Sequence, residues 1–369
     1  LLLLRGFQQL GTTAQSIVLG GTSILYLRPG TVFNADLDAT APRIAMDGGT
    51  YNGNTHLLMT GNTSTSGTGG CTFNGALDIT TTGTGQIYLC NTNTDAYHAD
   101  ITVNNIGGGG VRFGDGGGTG ILDAGRTITV GSGGFNAGLL LIRGFQQLGT
   151  TPQVLPLTGT ADLYLRSGTV FNGTLDATAP RIMLDGGTYN DTARFTMTGT
   201  SSAGGAGGCV FNSTVELTTA GAGQMQLHNA NADQFNGDVF VNSLVGGGGI
   251  TFGIGGGSGT LAAGRTIAAG SAGFVSGSLQ LKNFTQLGAT PQTILMGGSN
   301  ATLYFMTGTT FNGAVTTVTP RVAFDGATVD AARITIEALS AAACRDLLER
   351  CAYRVVTDGS EWPRICWTS

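Results

Sequence analysis

The chain has 369 residues, 64 of them Gly, with 17 Lys plus Arg against 22 Asp plus Glu and a net charge of −5. Only 11% of its residues are charged and the mean hydropathy is weakly apolar at +0.16, which excludes a disordered polyelectrolyte, a state that needs low hydrophobicity and high net charge. The acidic balance leaves no basic stripe to neutralise phosphates, so nucleic acid is excluded as a partner, and glycine does not recur at every third position as collagen requires.

The opening run Leu1 to Leu4 has the look of a signal-peptide core, but it returns as Leu139, Leu140, Leu141, Ile142 and is therefore repeat sequence rather than a targeting segment. The chain starts without Met and inside a repeat, as expected of a piece of something longer. No apolar run reaches the roughly 18 residues of a membrane span. LLLLRGFQQLGTT from Leu1 recurs as LLLIRGFQQLGTT from Leu139, so residues 1–138 and 139–277 are two copies of a 138-residue repeat. A partial third copy occupies 278–337, opening with SLQLKNFTQLGATPQ. Self-similarity at a long fixed period marks a stacked architecture.

Inside each copy runs a shorter beat, an aromatic followed by a small polar residue: Phe33-Asn34, Tyr51-Asn52, Phe73-Asn74, Tyr97-His98, Phe135-Asn136. Seven such units per copy imply roughly 20 residues each, too few for a βαβ crossover of about 30 residues. The segments ILYLR, ALDIT, IYLCN, ITVNN and VFVNS are short, rich in β-branched and aromatic residues, and bounded by turn formers. One such coil cannot bury its inward side chains, but the next coil, about 4.8 Å along, covers them and pairs its backbone. The expected fold is all-β, a parallel β-solenoid of about 17 coils with Phe and Tyr stacked inside and Asn bonded along a corner.

Strand alternation assigns the faces. Leu25 and Leu27 point inward while Tyr26 and Arg28 point outward; Tyr164 and Arg166 repeat this, and Tyr304 follows in the third copy beside Met306. In APRIAMDGG, Ile44 and Met46 read as interior, with Arg43 and Asp47 outside, and Arg181 with Asp185 and Arg321 with Asp325 recur in step. These residues are the candidate binding set, a lateral surface repeated about every 33 Å, whose ligand is a glycan or another cell-surface protein. The competing reading is that isolated charges keep a sheet soluble and unpaired at its edges.

Catalytic and metal chemistry does not assemble. His56, His98 and His228 occupy different repeat positions and read as polar turn residues, since none lies in a nucleophile or zinc motif. Asp36, Asp38 and Asp47 are close in sequence, the kind of carboxylate group a glycosidase uses, but Thr316 stands where Asp38 and Asp176 would continue. A carbohydrate-active β-helix enzyme, a polysaccharide lyase or hydrolase, is the alternative. The glycine-rich stretch from Gly107 offers Asp115 and Asp123 as calcium ligands, but Ile254 and Ala262 replace them in the second copy, so turn glycine is preferred and no metal or cofactor is expected. Thr80-Thr81-Thr82 and Thr218-Thr219 hint at an ice-binding solenoid, without the Thr-x-Thr on every coil that it needs. Cys71 and Cys209 read as buried small hydrophobes.

From Ala338 the composition changes. ALSAAACRDLLERCAYR has helix formers at amphipathic spacing, so residues 338–369 are either a helical cap over the solenoid end or sequence unrelated to the repeat.

The phrases TVFNGTLDATAPRI, FNGDVFVNSL, ITFGIGGGSGTLAAGRTIAAG and FTQLGATPQTI resemble the long repetitive secreted or cell-surface proteins of bacteria, of the Bacteroidota type. That resemblance, over residues 1 to 337, implies a non-enzymatic extracellular solenoid, a stalk or adhesin-like segment for surface attachment. It brings no catalytic motif to carry over.

Overall fold

The computed structural model of the chain describes residues 1–327 together with the backbone strands Ile334–Glu337, Arg354–Val356 and Arg364–Cys366. They are all-β, with no helix, and wind as a parallel β-solenoid of about 14 turns. The helix expected in the tail falls on residues outside those described. Contacts divide the chain into two compact units, Leu1–Asp191 and Thr192–Ser369.

In the first unit the coils build three faces; the second opens with Leu2–Leu4, Ile24–Leu27 and Arg43–Met46, which one coil bearing only the bridge Thr65 to Ile87 separates from the strands that follow. One face runs through Leu37–Ala41, Thr55–Met59, Leu77–Thr81 and Ile101–Asn105; a second through Gln86–Leu89, Gly110–Phe113, Leu139–Ile142, Asp162–Arg166 and Arg181–Asp185; a third through Gly49–Tyr51, Cys71–Phe73, Asp95–Tyr97 and Gly120–Leu122. The pairings are parallel, and these are in register: Ile79 lies between Leu57 and Val103, and Leu140 between Val111 and Leu163. Alternate residues are buried, as a pleated strand with one wet face demands. Leu25, Leu27, Ile44 and Met46 are all fully inside, in agreement with the alternation.

The coil is longer than the aromatic beat implies. Equivalent strands Leu37–Ala41 and Leu175–Ala179 are six steps apart in their sheet, so 138 residues make six coils of about 23 residues rather than seven of about 20. The miscount comes from Phe135. It belongs to the face of Ile101–Asn105, at the end of a strand whose register slips between Val103 and Asn105 to pass Gly131 to Gly134. Leu122 and Gln147 continue the aromatic column instead.

That column is the core of the first unit. Phe33, Tyr51, Phe73 and Tyr97 stack with centroids 6.0, 4.9 and 5.5 Å apart and planes within 14°, and all four are at most 1% exposed. Just outside, the corner amides bond along the same axis: Asn52 donates to Asn34 Oδ1 at 2.8 Å and Asn74 to Asn52 Oδ1 at 2.6 Å. Coils approach so closely there that a Cβ on Gly75 would lie 2.3 Å from the Gly53 carbonyl oxygen, which accounts for glycine after aromatic-Asn at this corner. Asp95 is enclosed by the turn beside the column. One oxygen accepts the Gly70 and Cys71 amides at 2.6 and 2.8 Å, the other the Cys90 amide at 2.6 Å and the Tyr97 hydroxyl at 3.1 Å. Burial pushes its pKa above the ordinary carboxylate range, while those four donors oppose the shift. Cys71 and Cys90 are buried free thiols, and burial raises both.

The second unit repeats the plan with Val215–Thr219, Val239–Ser243 and Ile267–Phe274 on one face, and Phe211 stacked on Phe235 at 5.3 Å inside. Here His228 takes the place of Cys90, both in the left-handed backbone region at φ of +37° and +38°. His228 is fully buried, not a polar turn residue at the surface. Its ring lies 5.5 Å from Phe252, and its Nδ1 lies 3.5 Å from Asp233 Oδ2, on the side where Phe235 lacks the hydroxyl of Tyr97. The last parallel strand, Ile334–Glu337, is met by Arg364–Cys366 running antiparallel, which pairs in turn with Arg354–Val356.

Phe73→Ala should remove a ring held on both sides and cost about 3–5 kcal/mol. Amide hydrogen exchange would then rise in Gly49–Tyr51 and Asp95–Tyr97; protection equal to wild type would show that the column does not hold the first unit together.

Candidate functional site

Outward side chains inherit the register of the strands and form columns. On the second face of the first unit the central column reads Tyr88, Arg112, Leu141, Tyr164, Met183 from coil to coil, with Asp162 paired to Arg181 on one flank. Arg143 and Arg166 continue the other flank, one residue beyond the registered pair Ile142 and Leu165. Asp115 enters this flank from the turn after Gly110–Phe113 and draws three guanidiniums together. Arg112 Nη1 is 2.6 Å and Arg166 Nη1 3.5 Å from its carboxylate, and Arg143 Nη1 donates to its backbone carbonyl at 2.8 Å.

The structure therefore groups four of the expected residues, Tyr164, Arg166, Arg181 and Asp185, on one face. Arg181 makes a two-point bond to Asp162 at 2.7 and 2.5 Å, and this bond raises its pKa further. Arg166 Nε reaches Asp185 at 3.9 Å. Partial burial, then the Asp185 carboxylate, push the Tyr164 hydroxyl up. Arg112, Arg143 and Asp162 escaped the sequence reading, because only the register shows that they share this face with Arg166. Arg143 left one signal, a basic residue at the same repeat position in every copy, Arg5 and Lys282 being its counterparts.

In the first copy Tyr26 and Arg28 do face outward, with the Arg28 guanidinium 5.0 Å from the Tyr26 ring centre, and Arg43 Nη2 donates to the Thr22 carbonyl at 3.0 Å. Asp47 departs from the expectation. It is only 8% exposed, accepts the Thr68 amide at 2.8 Å and meets Arg28 Nε at 3.3 Å. The strand ends at Met46, so alternation no longer governs Asp47, and the next coil closes over it. In the second unit Tyr304 is registered with Ala323, while Arg321 and Asp325 are exposed at the two ends of one strand.

A second feature lies on the first face of the first unit. Asp38, His56 and Asp78 are consecutive members of one outward column, and with Asp36 they line a cavity of about 230 Å³. Each of these four side chains already has a partner. His56 Nδ1 is 3.1 Å from Asp38, Asp36 accepts the Asn54 amide at 2.7 Å, and Asp78 accepts from Asn104 at 3.2 Å. In the second unit the same column carries Arg194 and Glu216, 3.5 Å apart. Alternating sign along a column is what cross-strand pairing favours, by about 0.2–1 kcal/mol per pair.

The two aspartates considered as calcium ligands are engaged elsewhere, Asp115 with Arg112 and Asp123 with His98 at 2.7 Å. Outward columns near Thr80 mix Thr40, Leu58 and Asn104 rather than repeating threonine. Among the described residues no helix is long and apolar enough to cross a membrane. No protein-family model matches the chain, and no curated protein or solved structure matches it either.

Two expected site residues should separate on mutation. Asp47→Ala leaves a buried amide and a guanidinium without their acceptor and should cost about 1–3 kcal/mol, whereas Arg43→Ala at the exposed strand start should stay within about 0.5 kcal/mol. Thermal midpoints compare them; equal losses would return Asp47 to the surface set.

Proposed function

We propose that the chain is a non-enzymatic, adhesin-like segment of a secreted or cell-surface protein, serving as a stalk or an attachment surface for a glycan or another surface protein. One observation carries this reading: in the first unit the outward Tyr-Arg pair with its companion Arg recurs after six coils, as Tyr26, Arg28, Arg43 and again as Tyr164, Arg166, Arg181. A surface that repeats at fixed intervals suits a repeating partner, whereas turnover needs only one site. The interior of each unit is filled by side chains, so the outward columns are what the fold offers to a ligand.

A carbohydrate-active β-helix is the second reading, favoured by the cavity bearing Asp36, Asp38, His56 and Asp78. Asp38 and Asp78 are two strands apart, about 9.6 Å along the column, at the upper end of the roughly 6.5–9.5 Å of an inverting glycosidase pair. His56 stands between them and is bonded to Asp38, in the space an attacking water would use. That arrangement fits a charge ladder better than an acid and base flanking a sugar.

Incubation of the chain with a panel of polysaccharides and with whole cells separates the two. Saturable attachment without new reducing or unsaturated ends is expected; depolymerisation that disappears in Asp38→Asn or Asp78→Asn would replace this reading with the enzyme.

A further inference from the structure

The flank of the second face carries an imbalance of charge. Beyond the registered pair Leu4 and Leu27 come Arg5 and Arg28, followed by Asp47; beyond Ile142 and Leu165 come Arg143 and Arg166, followed by Asp185. Like charges on adjacent strands oppose pairing, yet the first unit places two arginines next to one another twice. Among the described residues no carboxylate lies within ion-pair distance of Arg5 or Arg143, while Arg28 and Arg166 meet Asp47 and Asp185 at 3.3 and 3.9 Å. Asp115 does not remove the excess, because it is matched by Arg112 at 2.6 Å. Each group therefore keeps one guanidinium more than its carboxylates balance. The equivalent positions of the second unit read Lys282, Met306, Asp325, one base to one acid. Lys282 Nζ lies 3.4 Å from the Ile254 carbonyl, just as Arg143 braces that of Asp115. A carbonyl brace engages Arg143 and Lys282, and ion pairs engage Arg28 and Arg166, but neither cancels the extra positive charge that each arginine pair of the first unit carries.

We infer that the arginine pairs Arg5–Arg28 and Arg143–Arg166 are two anion sites for one extended acidic polysaccharide, each taking a uronate carboxylate or a sulfate ester. The assignment rests on the attachment role proposed above and names its ligand class. Guanidinium forks hold planar carboxylates and sulfates at two points. Tyr26 and Tyr164 stand one column over, each presenting an amphipathic ring beside its arginine pair. The two pairs are six coils apart on one face, about 29 Å, which a long chain with regularly repeated charge spans and a single small anion does not. In a chain of net charge −5, a polyanion is repelled overall, so retention has to come from such local groups.

The test uses the full chain with polygalacturonate, dextran sulfate, poly-glutamate and neutral dextran. Expected is salt-sensitive retention by the acidic polysaccharides, on the order of tenfold weaker in Arg143→Gln/Arg166→Gln as one of two linked sites is lost. Removal of two charges away from the pairs, in Lys282→Gln/Arg265→Gln, should leave retention unchanged, and circular dichroism confirms folding of each variant. A short galacturonate oligomer should bind at about two per chain and fall to about one in the double variant. Equal retention in the double variant, poly-glutamate held as tightly as the glycans, or dextran held as well as its sulfate each overturns the inference while leaving an attachment role standing. Release of reducing ends from the acidic glycans would instead overturn the attachment role.

Discussion

Within each unit the structure depends on one constraint: every coil lies on the next in parallel register, so each side chain sits about 4.8 Å from its counterpart one turn away. No coil of about 23 residues could bury its own apolar face. Stacked, Phe33, Tyr51, Phe73 and Tyr97 cover one another, and the corner amides of Asn34, Asn52 and Asn74 find partners in the same direction. Asp95 is the most exacting consequence. Its carboxylate is buried but holds three backbone amides and a hydroxyl, so the turn between coils is organised around it.

The same register acts on the outer surface, where it has no core to satisfy. Identical spacing turns isolated polar residues into columns, and the chemistry of a column depends on which charges follow one another. On one face Asp38, His56 and Asp78 follow one another, and His56 bonds Asp38 within the column. On another, arginine follows arginine before an aspartate arrives, leaving one guanidinium unbalanced.

Much of the interior was legible in the residues. Alternation in ILYLR placed Leu25 and Leu27 inside and Tyr26 and Arg28 outside, and the aromatic-Asn beat located the stack and its corner. Legibility failed where a residue leaves the regular strand. Phe135 has the aromatic-Asn signature but lies past a four-residue bulge on another face, so the beat implies seven coils per repeat where the structure has six. Asp47 comes one residue after a strand end and is enclosed by the next coil. His228 occupies a left-handed corner otherwise filled by Cys90, a position that nothing in its neighbouring residues marks as buried.

By itself the sequence determined the architecture: a 138-residue self-similarity, short alternating strands and glycine-marked corners admit coils that shelter one another and little else, because each is a local property of the chain. Only the tertiary structure decided the surface. Arg112 and Arg166 are 54 positions apart and Arg5 and Arg28 are 23 apart, and whether such residues are neighbours depends on how many residues complete a turn, a length set by bulges and corner packing rather than by any motif. The site is therefore a product of register, whereas the core is a product of composition.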